Sequence, residues 1–268
     1  MILIAILFGI IQGITEFFPI SSSGHLLLFH RIVGLPFADE LAFDVALHLA
    51  ALLALVWIFR SEVAWLTVAW FKGFSGKSSP ESRLAWLIIL ASLPALLVGY
   101  FFGDGIEAGF RSPAVVIFNL AAVGVLMIIP GNSDRNKSDL RDLATMTAVA
   151  IGIFQALAIF PGVSRSGITI IAGIFFGLKR QAALKFSFLS AMPVLAAASL
   201  AKVPDLFSGG SGSTAWIAIT LGFIAALLTS LVAIKFLMRL LEKYGLRPFG
   251  IYRLALAAVM AIIFYGLA

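Results

Sequence analysis

The chain has 268 residues, of which 61% are hydrophobic and 12% are charged, and its formal net charge at pH 7 is +6. This apolar composition excludes an ordinary soluble domain and indicates a protein surrounded by lipid. The absence of cysteine excludes disulfide bonds and a Cys-ligated zinc site. The positive charge suits anionic headgroups and anionic ligands, whereas the dispersion of the basic residues disfavours nucleic acid as a partner.

The first predicted element, 1–33, is an apolar stretch that proline and serine residues interrupt near its middle, and 144–178 has the same character. Proline cannot continue a helix, so each stretch is predicted to form a helix–break–helix segment. Each half is too short to span a bilayer alone, which favours a segment that enters and leaves on the same side. Six other apolar runs are close to the ~20 residues that cross the hydrocarbon core. They lie at roughly 41–60, 84–103, 112–130, 186–202, 214–238 and 249–268.

The sequence therefore predicts an all-α polytopic membrane protein with six transmembrane helices and two re-entrant segments. Basic residues concentrate in 60–83, 131–143 and 239–248, whereas 104–111 has one and 203–214 has none. The positive-inside rule places the first three segments in the cytoplasm. The first broken segment then opens from outside, the second opens from inside, and both chain termini lie outside.

An internal repeat appears when the chain is offset by 143 residues. The matched pairs are Gly9 and Gly152, Gln12 and Gln155, Phe17 and Phe160, Ser21 and Ser164, Ser23 and Ser166, Gly24 and Gly167, and Phe43 and Phe186. Because the two broken segments enter from opposite faces, the repeat is predicted to have inverted topology, with both breaks meeting near the midplane. We expect one integral membrane domain over 1–268, with repeat halves at about 1–130 and 144–268.

The first broken segment carries several polar residues at helical spacing. Gln12 and Glu16 are four apart, so they share one face before the break. Ser21, Ser22 and His25 fall within one turn after it. Glu16 can hold a hard divalent cation, with Gln12 as a neutral oxygen ligand. His25 can act as acid–base or nucleophile, and Ser22 can be the nucleophile if His25 or Glu16 takes its proton.

The second broken segment adds Ser164, Arg165, Ser166 and Thr169 at the start of a half-helix. A helix N-terminus suits a phosphate group, and the arginine fork matches phosphate oxygens. The two breaks together therefore suit phosphoryl transfer from an anionic phosphate ester.

Structural alternatives exist for some of these residues. A serine in a membrane helix often only bonds the carbonyl oxygen four residues earlier. Ionisable residues within a membrane segment are costly and usually functional, which makes Glu16 and Arg165 the strongest candidates. His48, in the first full span, is interpreted as a hydrogen-bonded packing residue.

Three motifs resemble those of the undecaprenyl-diphosphate phosphatase family, the membrane phosphatases linked to bacitracin resistance. That family is marked by Glu/Gln-x-x-x-Glu, Pro-x-Ser-Ser-x-Gly-His and Pro-Gly-x-Ser-Arg-Ser-x-x-Thr elements. Here they are QGITE from Gln12 to Glu16, PISSSGH from Pro19 to His25, and PGVSRSGIT from Pro161 to Thr169. The resemblance covers the whole chain, including FGIYR at 249–253.

The resemblance implies removal of the terminal phosphate from undecaprenyl diphosphate, a polyprenyl diphosphate lipid, which regenerates the carrier for peptidoglycan and other envelope polymers. It also implies dependence on Mg²⁺ or Ca²⁺ and an outward-facing active site in the inner (plasma) membrane. Glu16 and Gln12 would bind metal or water, and Arg165 would hold the diphosphate. Glutamine at position 12 removes one carboxylate, which leaves the metal site weaker or differently built. Ser22 and His25 would share the nucleophilic and acid–base roles, and we favour Ser22 as nucleophile with His25 as proton carrier. The predicted substrate-binding residues are Ser21, Ser23, Ser164, Arg165, Ser166 and Thr169.

Inverted repeats also recur in carriers, so a flippase that returns the polyprenyl phosphate across the bilayer is the alternative function. The expected partners are the lipid substrate and membrane lipids, and the sequence leaves a homodimer open.

Overall fold

The computed structural model describes residues 1–33, 40–75, 79–129, 138–202 and 213–266, and these are almost entirely helical. The helices are α1 (Ile2–Thr15), α2 (Ser22–Val33), α3 (Glu40–Ile58), α4 (Arg60–Phe74), α5 (Pro80–Phe110), α6 (Pro113–Ile128), α7 (Thr145–Leu157), α8 (Arg165–Phe175), α9 (Arg180–Lys202), α10 (Ser213–Tyr244) and α11 (Arg247–Ala261). A 3₁₀ turn at Leu140–Asp142 precedes α7, and a π-helical turn at Ile262–Gly266 extends α11.

The helices confirm an all-helical, multi-pass membrane protein. Within the described ranges, α5, α9, α10, and α11 together with its π-helical extension to Gly266 are each long and apolar enough to cross a bilayer. A fifth span results if α3 and α4, which meet at a bend of 81°, count as one. The predicted span at 112–130 corresponds to α6, which is apolar but has only 16 residues, fewer than the ~20 that cross the hydrocarbon core. Residues 76–78, 131–137 and 203–212, on which the orientation prediction partly depends, lie outside the described residues.

Both broken segments fold as helix–break–helix hairpins. In the first, the rings of Phe8 on α1 and Phe29 on α2 lie 4.8 Å apart between centroids, so α2 runs back along α1. In the second, the amide of Lys179 donates to the Ser138 carbonyl at 3.0 Å, and the Ser138 amide donates to the Gly177 carbonyl at 3.4 Å. The chain therefore leaves the second segment beside the point where it entered.

Each hairpin packs its first half-helix on a long helix from the other half of the chain. Helix α1 lies on α10, and α7 lies on α5. A side chain at Gly9 would collide with the Gly222 carbonyl, and a Cβ at Gly152 would lie 2.8 Å from the Ala91 carbonyl. Glycine permits this close approach of backbones, as it does at other membrane helix interfaces. Because each half of the chain packs its first half-helix on the other half, the two breaks lie side by side in the interior.

Candidate active site

The two breaks share an unusual backbone conformation. Ser21 and Ser164 have φ values of 72° and 74°, in the left-handed region that side chains other than glycine rarely adopt. Holding a residue there costs on the order of 1–3 kcal/mol. Each serine directly precedes a half-helix, and its hydroxyl accepts a hydrogen bond from the amide of Gly24 or Gly167, at 3.3 and 3.2 Å. Serine therefore caps the N-terminus of both half-helices.

Side-chain hydrogen bonds join the two breaks to each other. The Ser23 hydroxyl accepts from the Gly162 amide at 3.0 Å. In the opposite direction, the Ser166 hydroxyl donates to the Phe18 carbonyl at 3.2 Å. We call these two hydrogen bonds the break junction. They bring together the polar residues of the two broken segments, as the sequence predicted.

Arg253 holds the break junction from the side of α11. Its side chain is fully buried and donates to the carbonyls of Pro19 and Gly162, one in each break, at 3.4 and 2.7 Å. It also donates to the carbonyls of Asn119 and Leu120 in α6, both at 3.2 Å. Irregular backbone at membrane depth needs such internal partners. No site role was predicted for Arg253, the last residue of FGIYR, because its local signal is no more than an arginine inside an apolar run.

Glu16 is the centre of the polar cluster. Its Oε1 accepts from Arg165 Nη2 at 2.9 Å. Its Oε2 accepts from Gln12 Nε2 at 3.1 Å and from Ser22 Oγ at 3.0 Å. The Nε2 atom of His48 lies 3.6 Å from the same oxygen. Four predicted site residues from the two broken segments therefore meet at one carboxylate.

The Glu16–Arg165 ion pair is buried, with side-chain exposures of 6% and 11%. A buried charge is tolerated only when it is paired and hydrogen-bonded, which this carboxylate is. Arg165 Nη1 is also buried, and it has no hydrogen-bond partner among the described residues. Arg165 therefore pairs with the carboxylate through Nη2 and keeps a second buried donor, Nη1, that is suited to bind an anionic oxygen.

His25 makes its hydrogen bonds away from Glu16. Its Nδ1 lies 2.8 Å from the Ser21 carbonyl, and its Nε2 lies 2.8 Å from the Tyr252 hydroxyl. A carbonyl only accepts, so Nδ1 carries the proton and Nε2 accepts from Tyr252. We expected His25 to take the Ser22 proton, but the group that accepts from Ser22 in the structure is Glu16.

His48 was underestimated by the sequence analysis. Its Nδ1 bonds the Asp44 carbonyl at 2.8 Å, as expected of a hydrogen-bonded packing histidine. Its other nitrogen, however, faces the Glu16 carboxylate. A histidine inside an apolar span was the only available signal, and it did not reveal this neighbour.

The predicted substrate-binding hydroxyls all have partners inside the protein. Ser21 and Ser23 bond each other at 3.1 Å, and Ser164 and Ser166 do so at 3.3 Å. Thr169 is buried, donates to the Arg165 carbonyl at 2.7 Å and lies 2.6 Å from the Ser187 hydroxyl. These contacts give each hydroxyl a structural role, whereas substrate contact stays a prediction.

The cluster fits a divalent cation poorly as a ready-made site. Mg²⁺ and Ca²⁺ need six or more oxygen ligands, and the protein offers one carboxylate and one amide. Both Glu16 oxygens already accept hydrogen bonds, and Arg165 balances their charge. Within the described ranges, no group of three or more His, Asp or Glu side chains is arranged to hold a metal. The Gln12 Oε1 atom, which is buried and has no hydrogen-bond partner among the described residues, is a further protein oxygen in this cluster.

Comparison with known proteins agrees with these motifs. Residues 5–259 match the family described as Bacitracin resistance protein BacA. The chain is 42% identical over 262 residues to the undecaprenyl-diphosphatase of Rubrobacter xylanophilus, covering 96% of both chains. It is 41% identical over 266 residues to undecaprenyl-diphosphatase 2 of Stutzerimonas stutzeri, covering 97% of both. It is also 40% identical over 256 residues to the undecaprenyl-diphosphatase of Alteromonas mediterranea, covering 95% of this chain and 96% of that one. The chain belongs to the bacitracin resistance protein BacA family.

Proposed function

We propose that this membrane protein hydrolyses undecaprenyl diphosphate to undecaprenyl phosphate and inorganic phosphate. The product is the carrier lipid for peptidoglycan and other envelope polymers, and bacitracin resistance follows from its recycling. Relatives that match nearly the whole chain carry the name of this activity. The observation that carries the proposal is the contact of Ser22, Glu16 and Arg165 across the two breaks.

Ser22 is the proposed nucleophile and Glu16 its general base. The Ser22 Oγ–H bond breaks as Oγ bonds the terminal phosphorus, and the proton passes to Glu16 Oε2, which already accepts it at 3.0 Å. The bond between that phosphorus and the bridging oxygen breaks, and undecaprenyl phosphate leaves. Water then attacks the phosphorus of the phosphoserine and the P–Oγ bond breaks. Ser22 Oγ takes back the proton held by Glu16, and inorganic phosphate leaves with the two protons of the water.

Arg165 is proposed to bind the terminal phosphate. Its unpartnered Nη1 donor and the N-termini of α2 and α8 supply positive potential where charge develops on the phosphoryl oxygens. His25 lies one turn after Ser22 on α2, and we assign it the acid–base role for the water step or the leaving oxygen. We do not assign it as the nucleophile, because Ser22 already donates to the carboxylate base Glu16, whereas His25 makes its hydrogen bonds elsewhere.

A divalent cation, Mg²⁺ or Ca²⁺, stays a prediction. Such an ion commonly binds phosphates through one or two protein oxygens and several waters, so the diphosphate would bring most of its ligands. Glu16 and Gln12 are the protein residues placed to contribute. If the prediction holds, chelator abolishes phosphate release and either added cation restores it. Undiminished release in chelator would remove the metal from the proposal.

For the arrangement in the membrane, we propose two re-entrant hairpins in an inverted repeat, with the active site facing outward from the inner membrane. The hairpin that returns to Ser138 and the exchanged packing of α1 and α7 support it. Because the chain has no cysteine, single cysteines can report sidedness. An impermeant maleimide should label Arg111→Cys in intact cells and leave Ser75→Cys unlabelled. The reverse pattern would invert the proposed orientation.

The central experiment measures phosphate release from farnesyl and undecaprenyl diphosphate by purified protein. Ser22→Ala, His25→Ala and Arg165→Ala should each release phosphate more slowly. If all three match the wild-type rate, the site is wrongly assigned. Movement of polyprenyl phosphate across vesicles without hydrolysis would instead support a carrier, which the relatives' names do not favour.

A further inference from the structure

His25 and Tyr252 form a close pair from opposite ends of the chain. The Tyr252 hydroxyl lies 2.8 Å from His25 Nε2. The two rings are nearly parallel, with planes 4° apart and centroids at 5.7 Å. The tyrosine therefore contacts the imidazole through a hydrogen bond and lies parallel to it.

The His25 ring is held from both of its nitrogens. The Ser21 carbonyl fixes Nδ1 as the protonated nitrogen, which leaves the lone pair on Nε2. Only a donor can satisfy that lone pair, and the Tyr252 hydroxyl is one. A histidine anchored at both ends has one tautomer and one ring orientation, which is what a positioned acid–base group requires.

The backbone that carries Tyr252 is anchored by the neighbouring residue. The next residue, Arg253, is fully buried and donates to carbonyls in both breaks. The same turn of α11 thus fixes the break junction through Arg253 and the imidazole through Tyr252. Any shift of α11 would displace both together.

We propose that Tyr252 is a positioning residue for His25, holding the imidazole in the Nδ1–H tautomer with its ring orientation fixed. This inference rests on the proposed function, in which His25 has an acid–base role. Nothing in the local spacing of the first motif predicts it, since the two residues lie 227 positions apart.

The test is Tyr252→Phe, which keeps the ring and removes the hydroxyl. We expect kcat for undecaprenyl diphosphate to fall by about three- to tenfold, the effect of losing one hydrogen bond, with KM little changed. Tyr100→Phe is the matched control, because Tyr100 is 84% exposed and far from the site in sequence, and it should keep wild-type kinetics. In the His25→Ala background, Tyr252→Phe should cause no further loss, because its effect acts through His25.

A second measurement separates positioning from general damage. In protein labelled with ¹⁵N-histidine, Tyr252→Phe should move the Nε2 signal of His25 and leave those of His30 and His48 in place. Movement of all three would indicate a global change and overturn the inference.

The possible failures can be told apart. If His25→Ala is impaired but Tyr252→Phe retains wild-type kcat, or loses as much again in the His25→Ala background, Tyr252 does not act through His25 and the function stands. If His25→Ala retains full activity, the acid–base role of His25 and the inference fall together. If the wild-type protein releases no phosphate, the proposed function fails, and the inference fails with it.

Discussion

The two breaks have the same backbone and different chemistry. Ser21 and Ser164, related by the 143-residue offset, adopt nearly the same left-handed φ and cap the half-helix that follows. The same offset relates Ser22 to Arg165. It also places Ile159 where the first break has Glu16, and Ile168 where it has His25.

This difference shows how a duplicated scaffold can support a site that neither half contains. A proposed nucleophile and its base come from the first break, and the phosphate-binding cation comes from the second. The Glu16–Arg165 ion pair spans the two. Like charges repeated in both halves would repel each other where the breaks meet, whereas one charge of each sign forms a compensated pair.

Loss of the Ser22 hydroxyl should have the largest effect, because its counterpart in the second break is Arg165, which cannot replace it as a nucleophile. We expect Ser22→Ala to lower kcat by about 10³-fold or more, with little change in KM. Phosphate release measures this, and brief reaction with ³²P-labelled substrate should label the wild-type protein but not the variant. Ser61→Ala, an exposed serine on α4, is the control. Near-normal turnover by Ser22→Ala would leave His25 or a direct attack by water as the alternative.

Removing the cation contributed by the second break should be next in size. Arg165→Ala should lower kcat by roughly 10²- to 10³-fold, as losing one preorganised charge donor does. Arg165→Lys should recover only part, since it keeps the charge and loses the fork. Arg239→Ala, an exposed cation on α10, should behave as wild type.

Arg165→Ala also leaves Glu16 buried without its partner, which destabilises by about 3–5 kcal/mol. The double variant Glu16→Gln/Arg165→Gln distinguishes stability from catalysis. It should unfold at a higher temperature than Arg165→Ala, because no unpaired charge remains, and still lack activity. An active double variant would mean that neither charge takes part in the reaction.

The buried glutamines compare the two halves directly. Gln12 donates to the Glu16 carboxylate, whereas Gln155, its counterpart, donates to the Ala91 carbonyl at 3.1 Å. A hydrogen bond to a charged group contributes about 1.5–3 kcal/mol, so Gln12→Leu should lower kcat/KM by roughly tenfold to a hundredfold. Gln155→Leu should change it by less than about threefold. If the two variants lose kcat/KM for phosphate release equally, the chemistry is not confined to the Gln12 side of the repeat.

The features that sequence reasoning recovered are local ones. Proline and serine inside apolar runs located both breaks, and charges at membrane depth identified Glu16 and Arg165, because burying such groups is costly without a purpose. Ser22 followed from its position at a half-helix start. All three meet at one carboxylate in the structure.

The features that it missed depend on contacts between distant parts of the chain. Arg253 reaches the Pro19 carbonyl across 234 positions, and Tyr252 reaches His25 across 227. No spacing rule links such residues. The bend between α3 and α4 occurs at Phe59, where neither proline nor glycine interrupts the apolar run, so it too left no local signal.

The smallest expected effect concerns the break junction, where the two halves are alike. Ser23→Ala and Ser166→Ala each remove one hydrogen bond of the break junction and one to the neighbouring capping serine. Each bond is worth about 0.5–1.5 kcal/mol, and the Tm should fall by about 2–4 °C per kcal/mol. Ser23→Ala should cost slightly more, because it leaves the buried Gly162 amide unpaired, and an orphaned N–H is less well tolerated than an orphaned carbonyl. The two losses should not simply add in the double variant, since both bonds hold the same junction. Measuring both the Tm and the rate of phosphate release then distinguishes a structural role of these serines from contact with the substrate. A fall in activity at unchanged Tm would show that they contact the substrate instead of joining the breaks.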